Sequence, residues 1–122
     1  MMQQGVPPVI QSVYDLIRRD LGGLRVTDRE NPEIATIGTT AATLFRANSA
    51  RVAFIIVNLS GNIMFVRPSR PAATTAGIRL GANGGFLAAH WKEDLLLPSR
   101  EWAIIADAGA GNQLYSLEVV LL

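Results

Sequence analysis

The chain contains no cysteine. That removes disulfides, thiolate metal sites and thiol nucleophiles together, so stability has to come from packing or assembly. A single histidine, His90, rules out a histidine-rich metal site within one subunit, and the carboxylates show no calcium-loop spacing; no cofactor is expected. Charged residues make up only 17% of the chain and the formal net charge is +1. With no basic run to track phosphates, nucleic acid is not an expected partner. No apolar run approaches the roughly 20 residues that span a bilayer, and the opening residues 1–8 lack the basic region of an export signal, so a soluble protein with no membrane partner is expected.

What is present is apolar. Hydrophobic residues account for 49% of 122 positions, which suits one folded domain and suggests more apolar surface than a small monomer hides easily. A homo-oligomer, dimer or trimer, or a permanent partner would cover the excess. Ten of the eleven basic residues are arginine, the cation whose planar fork best suits interfaces.

Two regions differ in pattern. Pro7 and Pro8 hold the start extended, and Val9, Val13, Leu16, Ile17 and Leu21 then recur at helical spacing on one face. Gly22 and Gly23 supply the stop, with Arg18 and Arg19 in the last turn, where cations suit the helix dipole. Residues 24–33 are mostly polar and read as a connector. The expected organisation is therefore an N-terminal arm with an amphipathic helix over 1–33 and a β-sandwich over 34–122.

From Ile34 onward, short β-branched or aromatic runs alternate with turn residues, the pattern of an all-β sandwich. The clearest runs are 43–46, 51–58, 62–67, 85–91, 102–106 and 113–122, with weaker ones at 33–37, 78–80 and 94–97. Leu59-Ser60-Gly61 and Asn83-Gly84 are hairpin signals, and the stretch 68–76, with Pro68 and Pro71, interrupts the sheet. The run Arg51 to Asn58 is apolar on both alternating faces. It predicts a central strand with one face in the core and the other covered, the N-terminal helix of this or another subunit being a candidate cover.

Candidate chemistry reduces to structure at each position. His90 lies outside any Gly-x-Ser-x-Gly elbow, so a Ser-His-Asp site is not expected. Gly109-Ala110-Gly111 and Gly81 to Gly85 precede strand-like segments, whereas phosphate loops open a helix. Asp15, Asp20, Glu93 and Asp94 sit in polar context beside Arg or Lys, without the burial that would poise an acid and a base. Trp91 and Trp102 are expected as core or interface anchors, and Asn58-Leu59-Ser60 as a turn. No catalytic residue is assigned and no enzyme is expected.

Thr43 to Arg51 leading into Val52-Ala53-Phe54-Ile55-Ile56-Val57, then Asn58-Leu59-Ser60 and Asn62 to Val66, resembles small virion proteins of tailed phages. Leu97-Pro98, Trp102 to Asp107 and the apolar last strand are similar to the same group. The resemblance implies a jelly-roll-like sandwich of about eight strands, a capsid decoration or cement protein that binds an assembled shell as an oligomer. The implied partner is a major capsid protein, and the implied location is the outer capsid surface after synthesis in the host cytoplasm. Candidate contact residues are Val9, Val13, Leu16 and Ile17 on the helix face, with Arg18, Arg19, Arg67 and Arg70 at the rim. A tail or fibre-attachment protein is an alternative of the same class, and a carbohydrate-binding module one of another class.

Overall fold

The computed structural model describes Asp15, Leu16, Arg19, Gly22, Gly23 and residues 25–32 and 34–122. Among the described residues nine strands follow in order: β1 (Val26–Arg29), β2 (Ile34–Ile37), β3 (Ala42–Phe45), β4 (Arg51–Asn58), β5 (Met64–Pro68), β6 (Ile78–Leu80), β7 (Phe86–His90), β8 (Trp102–Ala106) and β9 (Asn112–Leu121). A helical turn, α1 (Trp91–Asp94), and a 3-10 turn at Leu97–Ser99 lie between β7 and β8. The strands form two antiparallel sheets, one ordered β1-β9-β4-β7 with β2 also on β9, the other β3-β8-β5-β6.

The pairing is nested. β1 and β2 pair with β9, β3 with β8, β4 with β7 and β5 with β6, as if one long hairpin had been rolled up, and β9–β4 and β8–β5 close the sheets. That is the jelly-roll path of a β-sandwich, in which β1 and β2 together act as one interrupted first strand. Pro32, lacking an N–H, sits in the interruption, and the Ser116 hydroxyl donates to its carbonyl.

Strand alternation sends one set of side chains inward. Phe54 and Ile56 of β4, Leu114 of β9, Met64 and Val66 of β5, and Trp102 and Ile104 of β8 meet in the core with Ile37, Leu44, Phe45 and Leu80. Phe54 stands tilted to Phe45 at 5.1 Å and edge-on to Trp102 at 5.2 Å between ring centres, the offset geometries aromatic quadrupoles favour.

The two-sheet, all-β fold agrees with the sequence pattern, and β4, β6 and β8 have the expected bounds. Two segments differ. The expected polar connector holds β1, paired with β9 from Val26–Leu121 to Arg29–Glu118, so the sandwich starts before residue 34. The run 94–97 is not a strand. The His90 ring nitrogen Nδ1 accepts from the Lys92 N–H at 3.1 Å and the Asp94 carboxylate accepts from the His90 N–H at 2.8 Å. These local bonds cap a helical turn, and Pro98 then favours the 3-10 turn. Asp94, expected as solvated charge, is thus a capping group.

Candidate interaction surfaces

The ionisable groups inside the sandwich are engaged with one another. Glu118, at an inward position of β9, accepts from Arg51 Nε at 2.7 Å, Arg29 Nε at 2.6 Å and Asn31 Nδ2 at 2.8 Å. Burial pushes its carboxyl up. The hydrogen bonds from Arg51, Arg29 and Asn31 and the Arg51 charge outweigh burial and hold it below the ordinary glutamate value. Arg51, also buried, lies over the Phe45 ring at 4.6 Å and donates to the carbonyls of Arg46, Pro98 and Arg100. One guanidinium thus ties the β3–β4 and β7–β8 connections to the last strand.

Two asparagines do similar work. Asn58 Nδ2 reaches the carbonyls of Asn62, Leu80 and Gly81, and its oxygen accepts from the Ser60 N–H and hydroxyl, so Asn58-Leu59-Ser60 is a side-chain-closed turn. Asn112 donates to Ile37 and Ala108 carbonyls and accepts from Asn62 Nδ2. Among the described residues no group of three or more His, Asp or Glu could hold a metal ion. Sequence reasoning passed over Glu118 and Arg51. Their signal was a charge at an inward position of an otherwise apolar, alternating strand.

Five of the exposed large apolar residues, Leu95, Leu96, Leu97, Ile34 and Phe86, fall in two places, while Leu16, Leu59, Ile78 and Leu122 are scattered. The first is the turn after α1, where Leu95 is 77% and Leu96 is 66% exposed. Leu95 adopts φ 56°, a conformation disfavoured for a side chain of this kind. The turn is anchored from below: Trp102 Nε1 donates to the Leu97 carbonyl at 2.9 Å, the Asn48 N–H to Ser99 at 2.9 Å, and the Arg51 guanidinium to Pro98 and Arg100. Beside it, a cavity of about 400 Å³ is lined by Ser49, Arg51, Val52, Trp91, Leu95, Leu96 and Ser99.

The second is the outer face of the five-stranded sheet. Register places Ile34, Tyr115, Val57 and Phe86 in one row, Leu117, Ile55 and Ala88 in the next, and Asp28, Val119, Ala53 and His90 in a third. Phe86 is 66% exposed. The other sheet packs on the opposite face, so among the described residues no strand covers this one. Such a face is unusual for a stable monomer.

The expected contact residues are dispersed. Leu16 and Arg19 are helical and exposed, while Val9, Val13, Ile17 and Arg18 lie outside the described residues. Arg67, at the end of β5, donates to the Pro71 carbonyl at 3.5 Å. Arg70 is exposed in the β5–β6 excursion and borders a cavity of about 220 Å³ with Thr43, Pro71 and Glu101. His90 is exposed at an edge-strand end and stacks on Trp91, and Trp102 is a core anchor.

No family model matches the chain, and no curated protein matches it. Among solved structures, the chain is similar to one described as Bacillus endospore appendages that form a novel family of disulfide-linked pili, with a TM-score of 0.53 and 12% identity over 81% of this chain and 90% of that one. At that identity the likeness concerns the fold.

Proposed function

We propose that this protein is a non-catalytic structural subunit that works by binding its neighbours, and that those neighbours are capsid subunits which it decorates and stabilises on an assembled phage shell. The observation that carries this reading is the rigidly anchored leucine turn. A left-handed Leu95 and an exposed Leu96 are held out by hydrogen bonds from Trp102, Asn48 and Arg51. A preorganised apolar projection loses little entropy on docking, which favours binding. The buried ionisable groups serve the scaffold, which also favours a building block over an enzyme.

Binding only to the assembled lattice stabilises that lattice by linkage, and many copies add their effects. The direct test is pelleting of the purified full chain with phage shells stripped of it. Saturable binding is expected, weakened at least tenfold by Leu95→Asp with Leu96→Asp. Failure of the unaltered chain to pellet with shells above background would reject the capsid reading.

A second reading has one observation in its favour. The fold is shared with a chain from appendages described as disulfide-linked pili, so a subunit of a fibre or appendage is the alternative structural role. Disulfide linkage is closed to this sequence, which has no cysteine.

A further inference from the structure

We infer that the outer face of the five-stranded sheet is a self-complementary interface, closed by a second copy of this chain about a two-fold axis that runs along the strands between β9 and β4. The inference does not rest on capsid binding. It starts from the order of the strands. The sheet runs β1-β9-β4-β7, with β2 on β9 beside β1. A two-fold axis in the plane between two facing sheets and parallel to the strands keeps each row level and reverses its order. Position one of a row then faces position four of the partner's.

Applied to the rows on this face, the operation pairs unlike with like where it should. In the row Asp28, Val119, Ala53, His90, the acidic residue on the β1 edge comes opposite the imidazole on the β7 edge, twice per dimer, with Val119 facing Ala53 between them. Asp28 and His90 are both exposed. In the row Ile34, Tyr115, Val57, Phe86, the exposed Phe86 meets Ile34 and Tyr115 meets Val57. Leu117 meets Ile55 in the row between. A two-fold axis across the strands would exchange rows instead and leave Asp28 and His90 without each other. The His90 Nδ1 is taken by the Lys92 N–H, which leaves Nε2–H as a donor for the partner's carboxylate, and this donor–acceptor match selects the axis along the strands.

The size is adequate for a modest dimer. Four strands spaced ~4.8 Å and about six residues of ~3.4 Å rise give a plane of roughly 400 Å² per copy. With side-chain relief on both copies, that approaches the ~1,000 Å² at which a biological interface begins. The middle strands present apolar side chains, and the edges carry Asp28 and His90 at one end and Ile34 and Phe86 at the other. Aligned packing of this kind is how sheets stack within sandwiches.

Sedimentation analysis of the full chain tests the inference without any capsid present. The expected result is a concentration-dependent species of twice the 13.1 kDa chain mass. Phe86→Asp should abolish it while leaving the thermal unfolding of the monomer unchanged, because Phe86 is mostly solvent-exposed. Asp28→Lys should weaken dimerisation about tenfold by replacing the acceptor opposite His90 with a cation that has no counter-ion, and Asp28→Lys with His90→Glu should restore it. A monomer at every concentration, as when residues 1–24 of the same chain occupy the face, would overturn the inference. So would a trimer, a Phe86→Asp dimer of unchanged affinity, or a charge swap that does not rescue. None of these results bears on whether the chain pellets with shells.

Discussion

Replacing Glu118 with glutamine keeps the shape of the side chain and removes only its charge and one acceptor. The carboxylate uses both oxygens, Oε1 for Arg51 and Oε2 for Arg29 and Asn31. An amide turned either way points its NH₂ at a donor. Arg29 is half in solvent and can relax, but Arg51 is 4% exposed and keeps a buried charge with no counter-ion. Losing one partner of such a pair costs about 3–5 kcal/mol, a large part of the ~5–15 kcal/mol that stabilises a domain. The melting temperature should fall by roughly 10–20 °C for a domain of this size. Urea unfolding followed by tryptophan fluorescence measures the loss. Arg51→Met should cost a similar amount, and the double variant less than the sum by more than about 1 kcal/mol, because the two side chains share one network. A loss below about 1 kcal/mol for Glu118→Gln would refute the view that this pair locks the last strand to the loop end of the sandwich.

Other outcomes follow from the same structure. Because the Glu118 carboxyl is held below its ordinary value in the folded state, its contribution is fully present above the ordinary glutamate range and is lost as pH falls through that range towards the lowered value; unfolding titrations of the unaltered chain should show acid destabilisation that Glu118→Gln lacks. Leu114→Ala opens a cavity at a fully buried core position and should cost about 2–5 kcal/mol by chemical denaturation. Asn58→Ala leaves the carbonyls of Asn62, Leu80 and Gly81 and the Ser60 donors without their shared partner and should cost about 1–3 kcal/mol. Leu96→Asp, at an exposed position, should shift stability by no more than about 0.5 kcal/mol, and a larger loss would show that the turn is part of the fold's support.

The β architecture was legible because alternation and burial are local. Arg51 to Asn58 and Trp102 to Ala106 read as strands from β-branched and aromatic content alone, and both have those bounds. β1 was not legible, since its inward Arg29 is matched by a glutamate 89 residues away, and no local pattern reveals such a partner. The leucine turn misled for the opposite reason. Three consecutive leucines look like a strand, yet caps from His90 and Asp94 bend the chain first. Of the contact residues read from sequence, Leu16, Arg19 and Arg70 are exposed and Arg67 is half-buried. The apolar second face of β4 was legible in the sequence, but which residues of β2, β9 and β7 share it emerged only from register, which joins positions far apart in the chain.

The role proposed for this sandwich is to stabilise an assembled shell through its anchored leucine turn. Calorimetry of stripped phage shells, with and without saturating protein, tests it most directly. The expected result is a rise in the temperature at which shells come apart, and a markedly smaller rise with the Leu95→Asp, Leu96→Asp variant at the same concentration. An identical shell transition with and without the unaltered chain would contradict it.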